Sequence, residues 1–319
     1  MDTHTWQATD WVEVGPNFAT LVPMDVVGKG PSGPRHAGYT QVDGSSGGEG
    51  VEIAYDELQP KPRRRALPGN QGLHRLTWHP ASQLTVEAQA ELFRVLPIIS
   101  SIAFGLDTAP YWRERHAEGF FDKTTEFTLI VNEAKRLVGW ATFRAFTVTG
   151  HRCLYLDSTG VLPKFQSRGL ISRIQGYAII REFLKIPVRP LYLTLRTESP
   201  VIYRMLVGVG STNIFPQPAV SVPQTVREVG SETARILGQY EKLIEAELRI
   251  EHAYVELYGR DDESLPASGD PELDRFFRQQ LGLDDAFIVV ARLTLPHALL
   301  WVARRPLSRG GSSPQRRGS

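Results

Sequence analysis

A single cysteine, Cys153, in 319 residues leaves no partner for a disulfide within the chain and excludes a zinc site built on paired thiolates. Long apolar runs are missing too. The longest, Ala298 to Ala303, is far short of the roughly 20 residues that a membrane-spanning helix needs. The first twenty residues contain Asp2, Asp10 and Glu13 but neither Lys nor Arg, so the basic start and apolar core of a secretory signal are absent from them. Charge of one sign is also lacking. With 36 basic against 35 acidic side chains, the formal charge of +1 provides no global field toward nucleic acid or anionic lipid. These absences point to a soluble, cytoplasmic protein in a reducing compartment, with neither nucleic acid nor membrane as a partner.

Composition divides the chain into four parts. Residues 1–81 hold GKGPSGP at 28–34, GSSGGEG at 44–50 and PKPRRR at 60–65, and read as a largely disordered extension whose Arg63, Arg64 and Arg65 form a solvated linker. Short apolar pieces within it, such as Val51 to Tyr55, are candidates for strands on the main body. Residues 82–222 have the periodicity of a folded domain, 223–306 form a C-terminal subdomain of helices and strands, and 307–319 read as a disordered tail.

Within the central part, Val86, Ala90, Phe93 and Leu96 recur at helical spacing, and a second helix is expected over Tyr111 to Glu118. The period then changes. Glu126–Asn132, Leu137–Thr147 and Cys153–Val161 read as three strands of an antiparallel meander. A helix follows over Gln166 to Lys185, then a strand over Leu191 to Thr197, then a helix from Ser199-Pro200 to about Val207. Beyond Pro223 the pattern predicts a long charged helix to about Leu257, a helix from Pro271 to Leu281, and strands over Phe287–Leu293 and Leu299–Arg304.

The run Val161-Leu162-Pro163-Lys164-Phe165-Gln166-Ser167-Arg168-Gly169-Leu170-Ile171 carries a strand through a tight loop into a helix. Backbone N–H groups from Gln166 to Ile171 can converge there, Gly169 permits close approach, and the helix N-terminus adds partial positive charge. Such a junction suits a diphosphate, to which Arg168 could add a charge-assisted contact.

The motif and the order of elements resemble the GNAT superfamily of N-acyltransferases, in which a strand ending in Val-x-Pro leads into Gln/Arg-x-x-Gly-x-Gly/Ala. Val161, Pro163, Gln166, Gly169 and Leu170 match, and Ile171 stands where the family usually has Gly or Ala. The resemblance implies a mixed, mostly antiparallel α/β fold flanked by helices, with acetyl-CoA or another acyl-CoA as co-substrate and no metal. It implies a cofactor site of Thr159, Val161, Gln166, Ser167, Arg168, Gly169, Leu170 and Ile171, with the pantetheine beside a bulge in the strand Cys153–Val161. A backbone N–H at Asp157, Ser158 or Thr159 would face the thioester oxygen.

Direct acyl transfer to an amine calls for a proton acceptor and a proton donor. Tyr203, on the helix where the family has its acidic tyrosine but out of register with it, is the candidate donor, and Asp157 and Glu198 are candidate bases, with Glu126 a further option. His151 and Cys153 stand two apart on a strand face, too few for a metal site. The expected activity is acyl transfer, acetyl by default, to a small-molecule or peptide amine, and the protein could form a homodimer. The alternatives are an acyl-CoA-binding module without chemistry, and a transferase using an acyl carrier protein as donor.

Overall fold

A computed structural model describes residues 50–70, 72–166, 168–207, 213–254, 267–282 and 284–303, the side chains of the last four residues excepted. The expected meander forms the middle of a mixed sheet. It opens with β1 (Val51–Glu52), β2 (Arg63–Ala66) and β3 (Leu73–Trp78), followed by helices α1 (Val86–Phe104), α2 (Ala109–Ala117) and α3 (Phe120–Lys123). Strands β4 (Glu126–Asn132), β5 (Arg136–Val148) and β6 (His151–Val161) come next, then α4 (Leu170–Lys185), β7 (Leu191–Thr197) and α5 (Pro200–Val207). The remainder is β8 (Ile214–Phe215), α6 (Gln224–Ile236), β9 (Leu243–Ile244), β10 (Arg249–Ile250), α7 (Pro271–Gln280), β11 (Ala286–Leu293) and α8 (Leu295–Ala303).

The strand order is β2-β3-β4-β5-β6-β7-β11-β10-β9, with β1 added to β5 and β8 to β11. Every described pairing is antiparallel except β6 with β7. Local signals explain much of this. Thr85 caps α1 by accepting from the Ala88 amide at 3.3 Å, and Asp270 caps α7 through the amides of Glu272 and Leu273. A two-residue tip, Thr149-Gly150, sets Val148 opposite His151 and so fixes the β5–β6 register.

Helices cover both faces of the sheet. On one face Trp140 meets Trp112 of α2 and Phe104 of α1, while Cys153, Tyr155, Tyr192 and Val290 pack with Val226 and Val229 of α6. On the other, Arg75 lies over Tyr177 of α4, Glu126 pairs with Arg181 of α4, and Phe277 of α7 meets Phe287. Buried on both sides, β4 reads as a nearly continuous apolar run for that reason.

Three expectations are corrected. The stretch before residue 82 is not wholly an extension: β3 pairs with β4 along its whole length, burying Leu73, Leu76 and Trp78, and the arginine triplet is the edge strand β2. The helix expected to reach Leu257 stops at Ile236, where Gly238 adopts a φ of 68° and turns the chain. Leu299 to Ala303, expected as part of a strand, is helical in α8. Among the described residues, no helix is long and apolar enough to cross a membrane.

Candidate active site

The predicted anion loop leaves β6 at Val161. Leu162 donates its amide to Val138 O at 2.9 Å, a single 3-10 turn spans Pro163–Phe165, and the Gln166 side chain donates back to Val161 O at 3.0 Å. Gly169 then starts α4 with a φ of 65°, and a Cβ placed on it would have no neighbour within 4 Å. Thus glycine answers to the left-handed backbone while the space beside it stays open. The helix has no side-chain cap, and its first bond of the kind that spans one turn runs from Arg173 N to Gly169 O. The amides of Leu170, Ile171 and Ser172 therefore have no acceptor inside the helix.

Around this loop the Arg168 guanidinium lies over the Phe165 ring at 5.0 Å. Leu170 is buried, and Ile171, the departure from the motif, packs against the core. Ser167 lies outside the described residues. Thr159 and Val161 pair with Ala141 and Gly139, placing them on the α4 face of the sheet next to the loop.

Two irregularities lie upstream of that loop. Between the pairs Ala141↔Thr159 and Phe143↔Leu156, two steps on β5 match three on β6, so β6 bulges at Asp157 and Ser158. Thr142 Oγ1 donates to Ser158 O at 2.9 Å and Trp140 Nε1 to Ser158 Oγ at 3.0 Å, clamping the bulge. Further, β6 and β7 pair only from Arg152↔Leu191 to Tyr155↔Thr194. Past that point β6 stays with β5 and β7 stays with β11, so the two strands part into a V whose mouth contains the bulge.

The face of the V opposite α4 is charged. Asp157 accepts from Arg144 Nε at 2.8 Å and faces Arg115 of α2 at 3.6 Å, each of these side chains being no more than 7% exposed. Burial alone would raise the Asp157 carboxyl, but Arg115 and Arg144 outweigh it and hold the group below its ordinary value. Arg196 of β7 adds a hydrogen bond to Gln239 at 2.6 Å and lies over the Tyr254 ring at 4.6 Å. None of the three arginines was singled out from the sequence. The available signal was Arg144 itself, a charge at an inward position of an otherwise apolar strand.

The sequence candidates thus separate. Asp157 is at the mouth of the V, though engaged by two arginines. Glu198 is buried just past the end of β7. Tyr203 of α5 donates to Pro216 O at 2.7 Å and meets Phe277 edge-on, and burial raises its phenol well above the usual range. Glu126 is paired with Arg181 on the α4 face. Burial pushes the Cys153 thiol up to about 12, and His151 stands edge-on to Tyr192. No group of three metal-binding side chains is found among the described residues.

The model of the acetyltransferase (GNAT) family matches residues 92–186, which run from α1 to the end of α4. Among curated proteins none matches this chain. Similar solved structures include the glucosamine N-acetyltransferase region of a fungal multi-domain β-N-acetylglucosaminidase, 13% identical over 54% of this chain and 17% of that one, with a TM-score of 0.30. A GNAT family acetyltransferase from Brucella melitensis in complex with acetyl-CoA is 14% identical over 38% of this chain and 75% of that one, TM-score 0.27. The GNAT family N-acetyltransferase YhbS from Escherichia coli in complex with CoA is 13% identical over 44% and 68%, TM-score 0.28. This chain spans less than a fifth of the fungal protein and most of the two bacterial ones. The match to the acetyltransferase (GNAT) family model thus covers less than a third of the chain and takes in the bulged strand β6 and the uncapped, glycine-led helix α4.

Proposed function

We propose that the protein transfers an acyl group, acetyl by default, from acyl-CoA to the amine of a small molecule or peptide by direct attack. The observation that carries this reading is the open, uncapped start of α4 at Gly169, beside the V between β6 and β7. Acyl-CoA supplies an activated carbonyl. The amides at the start of α4, with Arg168, hold the diphosphate, and Thr159 and Val161 line the pantetheine arm. A backbone N–H in the bulge at Asp157 to Thr159 meets the negative charge that develops on the carbonyl oxygen.

Of the proton-transfer candidates, Glu198 best fits the part of base, acting directly or through water, because it lies next to the parting strands. Asp157 serves better as a clamp on its arginines, since a carboxylate with a lowered pKa binds protons weakly.

A second reading, an acyl-CoA-binding module without chemistry, draws on Tyr203, whose hydroxyl is committed to Pro216 O. Use of a carrier protein as donor would call for a longer docking helix than α6, which ends at Ile236. Release of free thiol on mixing the protein with acetyl-CoA and a pool of amines separates the first two. Turnover that depends on both substrates supports the enzyme, saturable CoA binding without thiol release supports the module, and no CoA binding overturns both.

A further inference from the structure

Arg144 sits opposite Tyr155, the last β6 residue paired with β7, so its guanidinium lies over the mouth of the V. Asp157 follows on the same face of β6, and Arg115 arrives from α2. Among the described residues, Asp157 is the only carboxylate shared by the two arginines. Glu118, 3.6 Å from Arg115, is 29% exposed and sits at the rim. Two buried guanidinium groups around one buried carboxylate leave positive charge over, and such charge is costly to bury without a counterion.

The surplus has an address. Arg144 is 2% exposed; its Nε is on Asp157, its Nη1 makes a long 3.4 Å contact with Ile236 O, and its Nη2 is buried with no hydrogen-bond partner among the described residues. The Phe120 ring, 5.8 Å from the guanidinium carbon, offers no conventional acceptor. Arg196 is engaged by Gln239 and Tyr254 and contributes field without a spare donor being required of it. A planar guanidinium fixed at one edge by Asp157 presents its remaining N–H groups in a set direction, the arrangement that recognises a carboxylate.

Resting on the acyltransferase reading, we infer that Arg144, held by Asp157 and reinforced by Arg115, binds a carboxylate carried by a substrate close to the reacting carbonyl. The carboxylate belongs either to the acceptor, as in an amino acid, or to the acyl group, as in a dicarboxylic acyl-CoA. One uncompensated charge matches a monoanion better than a phosphate dianion.

The test has two arms. In one, the acceptors phenylalanine and β-alanine are compared with phenethylamine and propylamine, using acetyl-CoA. In the other, malonyl- and succinyl-CoA are compared with acetyl- and butyryl-CoA, using propylamine. One arm should show kcat/KM at least about tenfold higher for the carboxylate-bearing member, and Arg144→Gln should remove most of that preference. Arg144→Lys, which keeps the charge and loses the fork, should restore part of it, and it carries the test if Arg144→Gln does not fold. Equal use of charged and neutral substrates in both arms overturns the inference while leaving the acyltransferase reading intact. If no pair turns over, calorimetry with N-acetylglycine in the presence of CoA decides. Binding abolished by Arg144→Gln supports the carboxylate site even where the transfer reading fails, and absence of binding to the wild-type protein overturns it.

Discussion

At Gly169 two demands meet that a substitution can separate. The positive φ disfavours any side chain by about 1 kcal/mol, whereas the empty space around a Cβ places no steric limit on a small one. Gly169→Ala should therefore lower stability by that amount and weaken CoA binding only modestly. Gly169→Glu adds a carboxylate where diphosphate oxygens belong and should abolish CoA binding in calorimetry; undiminished affinity would sink the loop assignment. Tyr203 offers the opposite case. Its hydroxyl is used up on Pro216 O inside the α5–α7 layer. Tyr203→Phe strands that carbonyl, so the protein should lose about 1 to 3 kcal/mol in urea unfolding while the transfer rate stays within about twofold of wild type. A rate loss of a hundredfold at undiminished stability would instead make the phenol the proton donor.

Among the elements, the limits at 82 and 222 drawn from composition meet the sheet differently. β3 pairs with β4 from Phe127 to Asn132 and sets the Trp78 ring 5.9 Å from that of Phe127. A chain starting at residue 82 would uncover β4 as an edge and expose partners of Leu73, Leu76 and Trp78, each worth about 1.5 to 3 kcal/mol when buried. It should lose the cooperative thermal transition of the full chain, measured by circular dichroism; an unchanged transition would show that the domain begins at 82. The strand at Arg63 to Ala66 leaves little trace in the sequence because it is exposed along its length, and an edge strand with no buried face has no alternation to detect. The meander, β7 and α5 were legible because alternation, tight turns and Ser199-Pro200 act locally. The six-residue apolar run in α8 fits strand or helix equally well by period. Half of the site was legible for the same reason. The Gly169 loop is contiguous, whereas the arginine cluster joins α2, β5, β6 and β7, and only pairing register brings those residues together.

Over the whole molecule, acidic and basic groups nearly cancel, so acid sensitivity depends on particular buried carboxylates more than on general repulsion. Among the described residues, two of these, Asp157 and Asp285, have lowered pKa values. For Asp157, burial opposes and Arg115 and Arg144 prevail. For Asp285, burial again opposes, and the amides of Gly282 and His252 together with Arg249 prevail. A carboxyl whose folded pKa lies below its unfolded value of about 3.9 contributes stability that is complete above that value and vanishes as pH falls through the folded one. The free energy of unfolding should accordingly be flat from about pH 7 to pH 5 with respect to these groups and drop below about pH 4. Asp157→Asn leaves two guanidinium groups buried without their shared anion. It should be less stable than wild type at pH 7 by about 3 to 5 kcal/mol and lose less on acidification, with Asp285 responsible for part of the slope that remains. Urea midpoints at pH 7, 5 and 3 for both proteins decide the matter. If the variant keeps the wild-type slope below pH 4, Asp157 is not the group whose protonation loosens the V, and the charge balance drawn around Arg144 is wrong at its centre.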